Sequence, residues 1–133
     1  MPTLADITIK QSDGTTDVVY TAIAGAAGDG SPALFRSNSV GTALNQRPSL
    51  LIKATSNGSK TARRIRGDFS WPIVDISSGV STVVGRASGD FNFLAPQNQT
   101  EDMIKEQAHQ FANLIASAMI KDSMSEGYAP RGS

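Results

Sequence analysis

Residues 64–72, with the sequence Arg-Ile-Arg-Gly-Asp-Phe-Ser-Trp-Pro, contain the pattern that decides the fold of this chain. Side chains in a β-strand alternate between two faces. The isoleucine, glycine, phenylalanine and tryptophan therefore share one face, and the two arginines, the aspartate and the serine share the other. The segment predicts a strand with one face that packs and one face that carries charge. Pro72 is expected to end this strand or to place it at an edge.

The same alternation recurs in residues 86–93, after a small polar segment from Ser77 to Ser81 that predicts a loop. Arg86, Ser88 and Asp90 fall on one face of this second strand, and phenylalanines fall on the other. The two strands together predict one apolar face behind a polar face that bears arginines. This apolar face includes Ile65, Phe69, Phe91 and Phe93.

Toward the N-terminus, two further patterns predict antiparallel strands. Apolar residues alternate with polar ones from Ile7, and Asp13-Gly14 offers a hairpin turn before a β-rich run that resumes at Val18. Residues 50–55 also alternate, and the turn signal Asn57-Gly58 follows them, so this strand is expected to pair with residues 64–72.

Toward the C-terminus, one amphipathic helix is predicted from Thr100 to about Gly127. Thr100 suits the N-cap, Gly127 suits the end, and Ser117 near the middle marks a candidate bend. A lone helix cannot bury its own apolar stripe, so self-assembly is the first hypothesis for its partner surface. The stripe consists of Ile104, Ala108, Phe111, Ile115 and Met119.

Composition limits the classes of protein that fit. The chain has 133 residues, which suits one domain, and its 6% aromatic content and 12 glycines favour a thin core that oligomerisation supplements. It has no Cys, which excludes disulfides and thiolate metal sites. Neither a signal peptide nor an apolar run of about 18 residues is visible, so a soluble cytosolic product without a membrane partner is expected.

Charge is segregated along the chain although the total is balanced, with 12 basic and 12 acidic residues. Eight basic residues and two acidic ones lie between Arg36 and Arg86, whereas the helix from Glu101 to Glu126 carries five acids and two lysines. The neutral total therefore conceals a basic middle segment, which is typical of a nucleic-acid contact.

No catalytic arrangement is visible in the sequence. His109 is the only histidine, and no carboxylate or nucleophile is positioned by sequence to pair with it. A single imidazole without thiolates does not make a metal site. We therefore expect no enzyme activity, no cofactor, no metal and no small-molecule substrate.

The arginine-bearing face has two interpretations that the pattern leaves open. Lys53, Arg64, Arg66 and Arg86 come from successive strands, so they form one stripe with about 5 Å from strand to strand. Such a stripe contacts phosphates with an affinity that falls steeply with salt. The other interpretation is a solvated face, on which the arginines pair with neighbouring aspartates.

In the order of its parts, the whole chain resembles the coat protein of single-stranded RNA bacteriophages of the levivirus type. An N-terminal hairpin, paired strands, a loop, a last strand and a terminal helical segment follow one another as in that family. The segments that carry the resemblance are residues 64–72, 90–93, 100–102, 111–122 and 127–130.

The resemblance implies an α+β fold. Residues 1–133 form a single coat protein domain, with an N-terminal β-hairpin and a five-stranded antiparallel sheet in 1–96 and a helical dimerisation segment in 100–127. This segment is either one kinked helix or two helices, and it packs on the sheet of a partner subunit. The implied dimer interface comprises Ile65, Phe69, Phe91, Phe93, Ile104, Ala108, Phe111, Ile115 and Met119.

The function that the resemblance implies is structural. Interlocked homodimers assemble into an icosahedral virion around genomic RNA in the cytoplasm of the bacterial host. The polar face binds RNA, including a hairpin that represses replicase translation. The implied RNA contacts are Lys53, Thr55, Arg64, Arg66, Asp68, Arg86, Ser88 and Asp90. Ser88 stands where relatives have a base-stacking tyrosine, so Arg86 is a candidate to stack in its place.

Dimers in the family meet one another through the loop between the last two long strands. In this chain the loop corresponds to Asp75, Ser77, Ser78, Gly79, Val80 and Ser81. The alternative function is a non-viral single-stranded nucleic-acid-binding module, which would use the same arginines and remain a small oligomer. Aromatic residues on the polar face would favour this alternative, and the sequence has none there.

Overall fold

A computed structural model describes residues 2–38, 46–56, 59, 61–77 and 79–132. The chain forms two compact units, Met1–Leu94 and Ala95–Ser133. The first unit contains the β-strands, the last of which ends just inside the second unit. The second unit contains the helices.

The described residues form one six-stranded sheet in which strands that follow each other along the chain are also neighbours in space. The predicted fold class is confirmed, but the N-terminal hairpin is continuous with the rest of the sheet, so the described residues form one six-stranded sheet rather than a hairpin beside five strands. The strands are β1 (Ile7–Lys10), β2 (Asp17–Ala24), β3 (Ala33–Ser37), β4 (Ser49–Ser56), β5 (Ala62–Ser77) and β6 (Val80–Pro96).

The hairpin of β1 and β2 turns at the predicted position. Asp13 organises the turn, because its carboxylate accepts hydrogen bonds from the backbone N–H groups of Thr15 and Thr16, each at 2.9 Å, and from the Thr16 hydroxyl at 2.5 Å. The side-chain bond from Thr16 and the two backbone bonds lower the pKa of Asp13 to about 2. The second predicted turn, at Asn57-Gly58, lies outside the described residues.

Of the two alternatives predicted for Pro72, the end of the strand is not observed, because β5 continues to Ser77, whereas a position at a strand edge agrees with the pairing. The pairing between β4 and β5 ends at Ser49 and Ser70, so Pro72 lies where β5 has run past β4. Within the described residues this section of β5 has no β4 partner on that side, and such an edge tolerates a residue that cannot donate a hydrogen bond to the ladder.

The predicted loop between the last two strands is consequently shorter than expected. Asp75 and Ser77 lie in β5, and Val80 and Ser81 lie in β6. Gly79 occupies the turn with φ 78°, a left-handed conformation that glycine adopts without steric cost. Ser78 lies outside the described residues.

The core of the first unit lies on one face of the sheet. Tyr20 and Phe35 are buried, and the Tyr20 ring lies 6.5 Å from the Phe69 ring, centroid to centroid. The pairing of β4 with β5 places Leu50 opposite Phe69 and Ile52 opposite Gly67. These residues are on the face that the alternation predicts to be apolar.

The helical segment consists of two helices, α1 (Glu101–Ile115) and α2 (Ala118–Glu126). The Thr100 hydroxyl accepts a hydrogen bond from the Met103 N–H at 3.3 Å, which confirms the predicted N-cap. The break falls at the predicted bend, where the Ser117 hydroxyl donates to the Leu114 carbonyl at 2.7 Å. Gly127 ends α2 with φ 81°. Neither of these helices has the length and apolar character that a membrane span requires.

A close approach between β5 and β6 gives a test of the sheet packing. A Cβ atom on Gly67 would meet the Phe91 ring, with its Cζ at 2.5 Å and Cδ1 at 2.7 Å. Because the ring must move, we expect Gly67→Ala to lower the free energy of unfolding by about 1–3 kcal/mol in urea denaturation. Gly89→Ala is the matched control, since nothing lies within 4 Å of its added Cβ. Equal stability of the two variants would contradict this packing.

Candidate nucleic-acid interface

One face of β4 and β5 brings together the basic residues that the alternation placed there. The pairing register sets Lys53 opposite Arg66 and Thr55 opposite Arg64. Both arginines and Lys53 are exposed. Asp68 follows on the same face of β5, opposite Leu51.

The last strand contributes to this same face. The Arg66 Nη2 lies 3.8 Å from the Asp90 Oδ2, and the Arg86 Nη1 donates to the Ser70 hydroxyl at 3.3 Å. Both contacts fit a single antiparallel register of β5 and β6, which also sets Ser88 opposite Asp68. The eight predicted contact residues therefore lie on one surface, which we call the polar face. Their contact with RNA stays a prediction.

Arg36 is a further cation of the polar face that the sequence reasoning missed. Arg36 of β3 lies opposite Ser49 of β4, which in turn lies opposite Ser70 of β5. The Ser70 hydroxyl accepts a hydrogen bond from Arg86, so all four residues share one face. Arg36 is half-buried and follows the buried Phe35. The alternation in this short strand was the available signal for a charged face. Whether Arg36 shares a face with Arg64 depends on how the strands between them pair, which a local pattern does not show.

Like charges oppose each other directly on this face. Lys53 and Arg66 occupy one cross-strand pair, an arrangement that is destabilising by a few tenths to about 1 kcal/mol. Asp68 offsets part of this cost, because its Oδ1 accepts from the Arg66 Nε at 3.2 Å. Arg66 and Asp68 are each more than half exposed, so their ion pair contributes little to stability. An anion that binds both cations would relieve the repulsion.

Arg63, the immediate neighbour of Arg64, belongs to a different environment. Its guanidinium donates to both carboxylate oxygens of Asp29, at 2.7 and 3.3 Å. The hydrogen bond and charge of Asp29 raise the pKa of Arg63 above its usual value. Arg63 therefore ties the loop after β2 to the start of β5 and is not part of the polar face.

The opposite face of the sheet and the helices carry the residues predicted for a dimer interface. Ile65, Phe69, Phe91 and Phe93 are half-buried in the single chain. Neither helix contains a buried residue, although both are described over their full length. In the predicted helical stripe, Ile104, Ala108 and Phe111 are half-buried, Ile115 is 37% exposed and Met119 is 63% exposed. The helical stripe thus retains apolar surface to bury, and the subunit contact itself stays a prediction.

The outer edge of the sheet also has surface that a second chain could cover. Within the described residues, β6 is the last strand of the sheet, and β5 is its neighbour. The β6 strand is 17 residues long. A long strand edge presents a row of backbone donors and acceptors that pair readily with another chain.

No described residues form a group of three or more His, Cys, Asp or Glu side chains that could hold a metal ion. His109 is exposed on α1. The site that the structure does show is a solvent-exposed array of cations and hydroxyl groups about 5 Å apart from strand to strand. Such an array binds extended polyanions through several contacts.

Comparison with solved structures identifies the architecture. The chain superposes on the virus-like particle subunit of Beihai levi-like virus 21 with a TM-score of 0.81 and 19% identity, covering 98% of this chain and 100% of the other. The virus-like particle of bacteriophage ESE058 matches with a TM-score of 0.77, 18% identity and the same coverage. The protein capsid of bacteriophage GA matches with a TM-score of 0.73 and 16% identity over 95% of this chain and 96% of the other.

No protein-family model and no curated protein sequence matches the chain. The structural matches extend over nearly its whole length. This protein therefore has the RNA phage coat protein fold, as its sequence pattern predicted.

The opposed cations give a test of the register on the polar face. We expect Lys53→Gln to raise the free energy of unfolding by about 0.2–1 kcal/mol at low salt, because the repulsion with Arg66 disappears. The gain should fade in about 1 M salt, where exposed charges are screened. Urea denaturation at both salt concentrations measures the effect.

Lys105→Gln is the control for this experiment. Lys105 lies one helical turn after Glu101, an arrangement that stabilises a helix by about 0.2–0.5 kcal/mol, so its loss should lower stability. A loss of stability in Lys53→Gln similar to that of the control would contradict the assigned pairing.

Proposed function

We propose that this chain is the coat protein of a single-stranded RNA bacteriophage. It forms interlocked homodimers that assemble into an icosahedral shell around genomic RNA in the host cytoplasm, and it resides in the virion. The observation that carries this proposal is the match of the whole chain to subunits of virus-like particles. A capsid function depends on the arrangement of the entire subunit, so a full-length match is more informative here than a local one.

The incomplete burial of the single chain supports the dimer. Exposed apolar side chains on both helices and the long edge of β6 require partner surface. Exchange of helices between two subunits would cover the apolar sheet face and join the sheets. Interfaces of this obligate kind bury about 2,000 Å² or more, and an isolated subunit of such a dimer is barely stable.

The polar face supports RNA as the enclosed ligand. Lys53, Arg64, Arg66 and Arg86 are exposed on adjacent strands, and Arg36 extends the array to β3. Phosphate contacts from such side chains give affinity that does not depend on sequence, which suits the packaging of a long genome.

A repressor hairpin is the specific ligand that the family resemblance implies for the same face. Unpaired bases are recognised by stacking on aromatic rings or on arginine planes. With Ser88 on the last strand, Arg86 is the side chain that would supply a stacking plane. Asp68 and Asp90 would accept hydrogen bonds from base amino groups.

Removal of cations from the polar face tests the RNA-binding part of the proposal. We expect Arg64→Ala with Arg66→Ala to leave dimers intact and to weaken binding of single-stranded RNA at low salt. The slope of log K against log salt should become shallower by roughly 0.7 for each phosphate that the protein no longer neutralises. Filter binding across a salt series measures both quantities.

Arg63→Ala and Arg64→Ala form a matched pair for this experiment. Each removes one positive charge from adjacent positions, but Arg63 is held by Asp29 away from the polar face. RNA affinity should fall in Arg64→Ala and change little in Arg63→Ala. Equal losses, or unchanged affinity of the double variant at low salt, would contradict the assignment of the RNA-binding face.

A further inference from the structure

The polar side chains along the free edge of β6 constrain how a second copy of the chain can pair with it. Arg86, Ser88 and Asp90 occupy alternate positions of this strand, and the strand has no further neighbour among the described parts of the sheet. Arg86 and Asp90 are equally far from Ser88 along the chain. This spacing makes the edge self-complementary in charge.

In a two-fold symmetric dimer, that spacing favours one register of the two β6 strands. When two identical strands pair antiparallel about a two-fold axis, the residue on the axis faces its own copy. Each of the remaining residues faces the residue of the second copy whose number lies equally far from the axis residue in the opposite direction along the chain. Directly opposed side chains lie on the same face of the sheet and interact.

The axis positions from Arg86 to Asp90 differ in the charges that they oppose. With Arg86 on the axis, two arginines face each other, and with Asp90 on the axis, two aspartates do. With Ala87 or Gly89 on the axis, both charges face uncharged side chains. With Ser88 on the axis, Arg86 of each copy faces Asp90 of the other copy, which forms two opposite-charge pairs.

Both charged groups have capacity for this second contact. The Asp90 carboxylate lies 3.8 Å from Arg66, too far for a hydrogen bond, and its side chain is 62% exposed. Arg86 is exposed and donates from Nη1 to Ser70 at 3.3 Å. A guanidinium carries five N–H donors, so others are available for a carboxylate of the second copy.

The apolar side of the strand permits the same register. With Ser88 on the axis, Ala87 faces Gly89 and Phe91 faces Gly85 of the other copy. Nothing lies within 4 Å of a Cβ placed on Gly89, and a Cβ on Gly85 would make only an ordinary contact with Ile73 at 3.7 Å. A ring opposite a glycine avoids crowding at the seam, by which we mean the line where the two β6 strands meet.

We propose that two copies of this chain pair their β6 strands antiparallel with Ser88 on the two-fold axis, joined by reciprocal Arg86–Asp90 ion pairs. The inference rests on the proposed dimer and specifies its register. It also makes the nucleic-acid site composite, because Arg86 of one copy then lies beside Asp90 of the second copy on one continuous polar face. A bound RNA strand that crosses the seam contacts both copies.

Cysteine cross-linking tests the register directly, because the chain contains no Cys. In Ser88→Cys the two introduced thiols face each other across the axis at a Cα separation of about 4.5–5.5 Å, which suits a disulfide. We expect a covalent dimer on a non-reducing gel after oxidation. In the control Asn92→Cys the Cα atoms are about 27 Å apart in this register, so no cross-link is expected.

Three outcomes distinguish the failure of this inference from that of the proposed function. A cross-link in Ser88→Cys but not in Asn92→Cys supports the register. A dimer in solution that cross-links at Asn92, or at neither position, overturns the register but leaves the proposed dimer standing. A wild-type chain that sediments as a monomer overturns the dimer and, with it, the register.

Charge exchange gives an independent measurement that does not require a disulfide. Asp90→Arg places two arginine pairs across the seam and should raise the dimer dissociation constant about two- to thirty-fold in analytical ultracentrifugation. Adding Arg86→Asp to that variant restores opposite charges and should recover most of the affinity. Dimerisation of the double variant as weak as that of Asp90→Arg alone would overturn the proposed pairs.

Discussion

The antiparallel pairing of β4, β5 and β6 is the constraint on which the rest of this structure depends. One register sets Lys53 against Arg66 and, one position along each strand, Ile52 against Gly67. Because side chains alternate, the same pairing that gathers the cations on one face gathers the apolar residues on the other. A slip of one residue would exchange the two faces, so the surfaces proposed for nucleic acid and for the partner subunit are specified together.

The chain buries little of its apolar surface by itself. Among the described residues, the buried aliphatic and aromatic side chains are Tyr20, Phe35 and Ala95, whereas Leu114 and Met119 on the helices remain largely exposed. Two amphipathic helices without a buried residue and a long strand edge would gain stability from association in the proposed assembly. In the proposed coat protein, folding and assembly would therefore draw on the same surfaces.

Local patterns in the sequence predicted those features that local physics controls. The alternation in residues 64–72 correctly separated the faces of β5, and Thr100 correctly marked the start of α1. The extent of β5 was mispredicted because the tolerance for Pro72 depends on where β4 ends, a feature of another segment. Arg36 was missed for a related reason, since its place on the polar face follows from pairing across β4. The proposed RNA ligand and subunit contacts involve other molecules, and a single sequence gives only the chemistry that they must match.

Size-exclusion chromatography of the purified protein, with the ultraviolet spectrum and electron micrographs taken across the peak, tests the central claim most directly. We expect elution near the void volume, a nucleic-acid-rich spectrum and closed particles of uniform size. Treatment of the disassembled protein with single-stranded RNA should regenerate the same particles. A small oligomer that binds RNA but never closes into particles under these conditions would contradict the capsid function and favour a single-stranded nucleic-acid-binding module.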